Sequence, residues 1–266
     1  MTGTAPVPVA VQFVGAGPGA ADLLTLRAAR LLAEADLVLY PGTYLDPEVL
    51  GHCGPGARLV DTQDLDLDAI TAHLVAGARA GERVVRLTSG DPSLYSALHE
   101  QTRRLDAAAV AWAVTPGVPA YAAATALVGH ELTVPHVAQS VVLTRTRARS
   151  TPMGEGESLT DFATTGATLV LHLAVTRTRE LMAELAPVVG KDCPVVVVHR
   201  ASQPEELVLR GTVGAIADRV EEAGLRQAAV ILVGRALDAS RDGGESFLYS
   251  AERERAPRLV EDMGGR

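Results

Sequence analysis

Three loops rich in glycine and proline, each directly after an apolar run, constrain this chain more than any other feature. They are residues 14–19 (VGAGPG), 88–95 (TSGDPSLY) and 114–119 (VTPGVP). In an open parallel sheet, ligands bind outside the carboxyl ends of the strands. If the three apolar runs are parallel strands of one sheet, the loops meet at one site. A single such loop would be weak evidence, because glycine and proline are ordinary turn residues.

Apolar runs and helical periodicity alternate along the first half. This pattern is typical of a parallel sheet with crossover helices, so an α/β fold is expected. The predicted strands are 11–14, 37–40, 58–60, 83–87 and 109–114. The predicted helices are 22–34, with Asp22 as its N-cap, 66–80 and 94–105. A second α/β unit is predicted from strands at 137–144, 167–173, 194–199, 206–210 and 228–233 and helices at 176–186 and 212–223.

The stretch 115–136 contains prolines and an alanine-rich, helix-like run, and it marks the predicted boundary between the two units. A Gly/Ser/Thr/Pro-rich segment at 147–160 is predicted as a loop. The predicted organisation is a flexible lead at 1–10, an N-terminal α/β domain at 11–115, an interdomain linker at 116–136, a C-terminal α/β domain at 137–238 and a polar tail at 239–266.

Composition excludes several classes of protein. The 266 residues are 47% hydrophobic with a net charge of −8, which argues against a nucleic-acid binder. Cys53 and Cys193 form no C-x-x-C pair, so neither a zinc site nor a disulfide framework is indicated. The first arginine is Arg27, which excludes an ordinary signal peptide, and no apolar run reaches the roughly 18–20 residues of a membrane span. A cytoplasmic protein with no membrane partner is expected.

The first loop also matches a dinucleotide-binding fingerprint, with Gly15, Gly17 and Ala20 as G-x-G-x-x-A. Two features oppose a nicotinamide or flavin cofactor. Pro18 removes an N–H from the loop that would hold the pyrophosphate. After the second strand, Tyr40 is followed by Pro-Gly where a ribose-binding acid is expected. A tight strand–helix turn without a ligand remains a further interpretation of this loop.

Other polar residues leave alternatives open. Asp91 either caps the following helix or orders its loop around a ligand that carries a positive charge or a hydroxyl group. Arg145, Arg147 and Arg149 alternate at the end of an apolar run, either as a solvated basic edge or as a wall that binds carboxylates. No histidine pair has metal-ligand spacing, so no metal is expected, and these residues are interpreted as surface or satisfied core histidines: His99, His130, His136, His172 and His199.

Taken together, these stretches resemble the tetrapyrrole methyltransferase family over about residues 11–238. The resemblance rests on the first loop, DLLTL at 22–26, ADLVLY at 35–40, GDP at 90–92 and PGV at 116–118. It implies two α/β domains with S-adenosylmethionine (SAM) in the cleft between them. The branch that methylates carbon eleven of precorrin-4 in cobalamin synthesis is the most similar, through 89–101, 131–135 with 142–146, and 195–206.

The resemblance also implies site residues. Those expected to contact SAM are Pro18, Gly90, Asp91, Pro92, Tyr95, Pro119, Ala120, Leu173, Ala201 and Ala229. Many relatives have Thr or Ser where this chain has Pro119, and Met where it has Leu173. Arg145 and Arg147 are expected to bind substrate carboxylates, and Tyr44 is a further cleft candidate.

The implied reaction is methyl transfer from SAM to a carbon of a reduced tetrapyrrole. An electron-rich carbon and a good leaving group need little acid–base help, so positioning can supply most of the rate. No acceptor for the proton lost from the product is identified from the sequence. The alternatives are methylation of another tetrapyrrole, such as uroporphyrinogen III, and a non-catalytic protein that binds SAM or a tetrapyrrole. A homodimer is expected from the resemblance.

Overall fold

Two five-stranded sheets organise the chain, one formed by each half. The computed structural model describes residues 9–42, 45–146, 152–238 and 246–247. Each sheet is covered by helices, so the fold is α/β with two α/β domains, as the sequence predicts. Within the described ranges, no helix has both the length and the apolar character that crossing a membrane requires.

The first sheet is entirely parallel, in the order β3-β2-β4-β1-β5. Its strands are β1 (Val11–Gly15), β2 (Leu37–Tyr40), β3 (Arg58–Asp61), β4 (Val84–Thr88) and β5 (Trp112–Thr115). Its helices are α1 (Leu26–Glu34), α2 (Pro47–Leu50), α3 (Leu67–Arg79) and α4 (Leu98–Ala107).

The position of β1 brings the three glycine/proline loops together. β1 lies between β4 and β5, with Val14 in register with Leu87 on one side and with Thr115 on the other. The loops that follow these three strands therefore leave the sheet side by side at the carboxyl ends of the strands. The convergence predicted from the sequence is confirmed.

The second sheet is mixed, in the order β6-β7-β10-β8-β9, with β6 and β7 parallel and the other described pairs antiparallel. Its strands are β6 (Val141–Arg145), β7 (Thr168–His172), β8 (Pro194–His199), β9 (Leu207–Thr212) and β10 (Ala229–Val233). Its helices are α5 (Ala120–Val128), α6 (Leu159–Thr164), α7 (Thr178–Val189) and α8 (Ile216–Glu222).

Side-chain alternation along β7 assigns its two faces. Leu169 and Leu171 belong to the core that contains Leu181 and Leu185 of α7. Val170 belongs to the opposite core, which contains residues of α5. Because successive side chains of a strand point to opposite faces, His172 continues the Val170 row at the carboxyl end of β7.

Several predicted boundaries differ from the structure, and three of the differences have a local reason. Asp22 is not the cap of α1: Thr25 is, and its hydroxyl accepts a hydrogen bond from the Ala28 N–H. α4 begins at Leu98 rather than 94, because Tyr95 and Ala97 before it have left-handed backbones. β6 begins at Val141 rather than 137, because Val134 and Ala138 pair in a bridge that turns the chain first.

Two helices lie where loops or linkers are predicted. α6 begins at the end of the predicted loop 147–160, where the Ser158 hydroxyl accepts a hydrogen bond from the Asp161 N–H and caps the helix. α5 lies within the predicted linker 116–136 and packs against the second sheet. Pro119 is its N-cap, so the third glycine/proline loop leads directly into a helix of the other half.

Candidate active site

Backbone packing between three glycines joins the converging loops. A Cβ added to Gly117 would lie 2.2 Å from the Gly90 carbonyl oxygen and 2.8 Å from the Gly15 Cα. A Cβ added to Gly15 would lie 2.5 Å from the Gly117 nitrogen. Such distances are too short for any side chain, so glycine is required at these positions for the loops to touch.

Hydrogen bonds between Gly17 and Gly90 add a second connection. The Gly90 N–H donates to the Gly17 carbonyl at 2.7 Å, and the Gly17 N–H donates to the Gly90 carbonyl at 3.2 Å. Both residues have left-handed backbones, with φ of 77° and 66°. Glycine adopts this conformation without the steric cost that a Cβ carries.

The Asp91 carboxylate holds the second and third loops together. One oxygen accepts hydrogen bonds from the Ser93 hydroxyl and, at 2.8 Å, from the Ser93 N–H. The other accepts from the Gly117 N–H at 2.8 Å. Partial burial by itself would raise the pKa of Asp91, but these hydrogen bonds outweigh it, so the pKa lies below its ordinary value. Asp91 therefore orders its loop and does not cap α4.

A cavity of about 410 Å³ opens between the joined loops and the second sheet. Nine of the ten residues predicted to contact SAM line it: Pro18, Gly90, Asp91, Tyr95, Pro119, Ala120, Leu173, Ala201 and Ala229. The tenth, Pro92, is buried and is not part of the lining. Ligand pockets commonly enclose about 300–1,000 Å³ and are mostly apolar with a few polar groups.

The predicted substrate residues lie elsewhere or outside the described chain. Arg145 lines a neighbouring cavity of about 290 Å³ rather than the first one. Its charge nevertheless acts on Tyr95, whose pKa is raised mainly by burial and lowered in part by Arg145. Tyr44 and Arg147 lie outside the described residues.

A loop of the second half closes one end of the cavity. The Ala20 N–H donates to the Ser202 hydroxyl at 3.1 Å, and the Gln203 side-chain amide donates to the Pro18 carbonyl at 3.1 Å. Gly19 lies against the same side chain, since a Cβ there would be 2.4 Å from Gln203 Cγ. Hydrogen bonds across the two halves thus hold the first loop over the cavity.

Strained backbone concentrates around this cavity. Among the described residues, eight non-glycines have positive φ. Four of them line the cavity: Tyr95, Leu173, Arg200 and Ala228. Left-handed non-glycine residues cost on the order of 1–3 kcal/mol each and cluster at ligand sites. Leu173 is also 66% exposed and Tyr95 46% exposed, which places apolar surface at the cavity for a ligand to cover.

His172 lines the cavity, and its interpretation from the sequence as a surface or satisfied core histidine is wrong. Its Nε2 is buried and makes no hydrogen bond within the described part of the chain, so it is neither a surface nor a satisfied core histidine. Burial lowers its pKa. Several further lining residues are not among the predicted contacts: Ser89, Thr176, Arg200, Gln203 and Arg226. Ser89, Arg200 and Gln203 lie in stretches that carry the family resemblance, whereas Thr176 and Arg226 do not.

The loop geometry opposes the dinucleotide interpretation. A pyrophosphate site needs the helix N-terminus directly behind the glycine loop. Here a single 3-10 turn, Ala21–Leu23, follows Ala20, and α1 begins only at Leu26. The cavity is instead open towards the second sheet, where a ligand would contact both halves.

Comparison with known proteins gives a consistent result. The family model of the tetrapyrrole (corrin/porphyrin) methylases matches residues 10–217. A precorrin-4 C(11)-methyltransferase from Rhodococcus erythropolis is 52% identical over 245 residues, which cover 92% of this chain and 98% of the relative.

Solved structures share the fold. A cobalt precorrin-4 methyltransferase, described as a cobalamin biosynthetic enzyme, superposes with a TM-score of 0.83 at 37% identity, covering 88% of this chain and all of that one. A uroporphyrin-III C-methyl transferase from Thermus thermophilus, complexed with S-adenosylhomocysteine, gives a TM-score of 0.71 at 32% identity over 85% of this chain and 98% of its own.

Proposed function

The chain belongs to the tetrapyrrole methylase family, and on this premise we propose that it is a SAM-dependent methyltransferase that acts on carbon eleven of precorrin-4 in cobalamin biosynthesis. The observation that carries the proposal is the cavity of about 410 Å³, at which three glycine/proline loops of the first sheet face the carboxyl end of β7. The 52% identical relative named for this reaction supports the choice of substrate.

The residues of the cavity fit SAM. Leu173, Ala201 and Ala229 offer an apolar wall, while the Asp91 carboxylate, kept charged by its hydrogen bonds, places a negative group beside the loops. When bound, SAM supplies a methyl group whose bond to the sulfonium sulfur breaks, with the electron pair staying on sulfur, as the bond to the substrate carbon forms. We assign SAM contacts to the nine predicted residues that line the cavity, and to Pro92 a supporting position behind it.

The chain's own contribution is positioning. The contacts among Gly15, Gly90 and Gly117, and the Asp91 hydrogen bonds, fix the loops on one wall of the cavity. Gln203 and Ser202 fix the first loop from the other half. Holding two reactants in line can account for a large part of a rate enhancement. Arg145, at the neighbouring cavity, is our candidate for a substrate carboxylate, because arginine pairs with carboxylates in a bidentate manner. Arg147 and Tyr44 remain sequence-based candidates.

Three further features belong to the same proposal. We take residues 11–115 and 137–238 as the two domains. A homodimer is supported by apolar side chains exposed on α5 and β5, namely Leu127 and Val114. A cytoplasmic location is supported by Cys53 and Cys193, which form no disulfide and pack in the cores of different halves.

The test is methyl transfer itself. The purified protein is incubated with methyl-labelled SAM and uroporphyrinogen III, precorrin-2, precorrin-3 or precorrin-4, the last with and without cobalt, and the label is located by NMR and mass spectrometry. Label at carbon eleven of precorrin-4 supports the proposal. The metal-free substrate is expected to be preferred, since identity is 52% to the precorrin-4 enzyme and 37% to the cobalt-precorrin-4 enzyme. Label on another position or another tetrapyrrole would contradict the assigned reaction. SAM binding without methyl transfer would contradict the assignment as an enzyme.

A further inference from the structure

His172 has an environment that packing alone does not explain. It ends β7 on the face that carries α5, and it lines the cavity. Its Nε2 is buried and has no hydrogen-bond partner among the residues that the structure describes. A buried polar group without a partner is destabilising and requires an explanation. Because His172 also lines the cavity, a ligand that enters the cavity lies beside the imidazole.

Two aromatic rings, one from each half of the chain, enclose the imidazole. The Tyr95 ring lies 5.6 Å from it between centroids, and the Tyr121 ring of α5 lies 6.5 Å away, edge-on. Burial, to which the two rings contribute, lowers the pKa of His172 from its ordinary value and so favours the neutral imidazole. A neutral imidazole has one nitrogen with a lone pair that can accept a proton.

Charged groups lie on the elements around His172, but burial is the cause of its lowered pKa. Arg145 is paired with His172 in the register of β6 and β7. Glu157 acts on the neighbouring Tyr95, and Asp91 stands on the loop side of the cavity. No carboxylate of the described ranges is hydrogen-bonded to the imidazole. His172 therefore differs from a histidine that an acid orients and keeps protonated.

We propose that His172 is a catalytic residue of this enzyme, the acceptor of the proton that the tetrapyrrole loses when it is methylated. The inference rests on the proposed function. As the carbon–carbon bond forms, the positive charge of the sulfonium passes to the macrocycle. A ring N–H bond then breaks, its electron pair stays on the macrocycle and neutralises the charge, and its proton binds the lone pair of the imidazole. The proton leaves to solvent when the product departs.

A weak base is sufficient for this step. The methylated macrocycle is cationic, so its N–H is far more acidic than that of the substrate. A base with a lowered pKa remains unprotonated before the transfer and returns its proton readily afterwards. This combination suits a histidine that must act once in each turnover without becoming trapped as an imidazolium.

The experiment compares wild type, His172→Gln and His172→Ala in single-turnover methylation of precorrin-4 between about pH 5 and 8. His199→Gln is the matched control, because His199 ends β8 of the same sheet, has a pKa also lowered by burial, and is not part of the cavity lining. S-adenosylhomocysteine affinity is measured for each variant by calorimetry.

We expect wild type and His199→Gln to lose rate as pH falls through the pKa of His172. His172→Gln should be slower by about 100-fold and should lack this acidic limb. Imidazole added to His172→Ala should restore part of the rate, with S-adenosylhomocysteine affinity within a factor of about 3 of wild type. An unchanged rate in His172→Gln, or a fall in cofactor affinity equal to the fall in rate, would overturn the role. Failure of wild type to methylate precorrin-4 would instead overturn the proposed function.

Discussion

The Asp91 carboxylate accepts a hydrogen bond from the Gly117 N–H at 2.8 Å, across 26 positions of sequence. This contact joins the loop after β4 to the loop after β5, at the point where both meet Gly15. The same carboxylate binds Ser93 through its other oxygen. One side chain therefore ties together the turn that bears Tyr95 and the turn that leads into α5.

Replacing Asp91 by Asn tests this connection. An amide that keeps its oxygen on Ser93 presents an N–H to the Gly117 N–H, so one hydrogen bond is replaced by a clash of donors. We expect a loss of about 1–3 kcal/mol in the free energy of unfolding and weaker S-adenosylhomocysteine binding. Urea unfolding and calorimetry measure both. Asp22→Asn is the control, because Asp22 is exposed and its side chain caps nothing. Equal stability of the two variants would contradict the connection.

The same carboxylate gives a dependence on pH. Its pKa is lower in the folded protein than its ordinary value, so its stabilising contribution is complete above the unfolded pKa of about 3.9 and is lost as the pH falls through the folded pKa. Wild type should therefore lose more stability than Asp91→Asn between about pH 5 and pH 3. Urea unfolding at both pH values measures the difference. Parallel acid curves for the two proteins would show that Asp91 contributes nothing.

Gly117→Ala should be among the most disruptive single-methyl changes in the chain. The new Cβ would meet the Gly90 carbonyl oxygen at 2.2 Å, and both contact partners are backbone, so the loops must separate. Overpacking of this kind costs about 1–3 kcal/mol or more. Gly56→Ala is the matched control, because nothing lies within 4 Å of its added Cβ. Thermal unfolding compares them, and similar transition temperatures would contradict the close approach of the loops.

Much of the fold could be predicted from the sequence, and part of the site. All ten described strands overlap predicted segments, because runs of apolar residues bounded by glycine and proline carry a strong local signal. The short helices α2 and α6 were not predicted, since four and six residues are too few to show periodicity. Sequence cannot reveal the left-handed backbone of Leu173 or the orphan nitrogen of His172. Both depend on which residues the two sheets bring together.

The contacts between the two halves make a separate prediction. Gln203→Ala removes the hydrogen bond to the Pro18 carbonyl and the side chain that packs on Gly19. Because these contacts hold a loop over the cavity, affinity for S-adenosylhomocysteine should fall about 3- to 10-fold, as expected for the loss of about one hydrogen bond. Gln63→Ala, at an exposed position, serves as control. An affinity equal to that of the control would show that the loop needs no support from the second half.

Arg86 of β4 carries a buried charge, and its replacement tests how that charge is stabilised. Its guanidinium donates to Gln101 and Thr62 at 3.2 Å, no carboxylate of the described chain forms an ion pair with it, and burial lowers its pKa to about 10. Arg86→Met leaves the Gln101 oxygen without a donor and should destabilise by about 1–3 kcal/mol. Gln101 also donates to the Ser96 and Ala97 carbonyls, so Gln101→Met is itself destabilising. The double variant should lose less stability than the sum of the two single variants, because the Gln101 oxygen that Arg86 satisfies is absent from it. Strict additivity in urea unfolding would refute the coupling.

Leu173→Gly separates binding from stability. Leu173 has φ of 54° and is 66% exposed, so its side chain adds little to the core while its backbone is strained. Glycine relieves a strain of about 1–3 kcal/mol, against which about 0.5–1 kcal/mol is lost to the greater freedom of the unfolded chain. The protein should therefore unfold at a slightly higher urea concentration, while S-adenosylhomocysteine binds more weakly because an apolar wall of the cavity is gone. Val188→Gly, at an exposed position inside helix α7, should lower stability instead. A Leu173→Gly variant that is less stable than wild type would contradict the strain at Leu173. A variant that binds as tightly as wild type would contradict the contact between its side chain and the ligand.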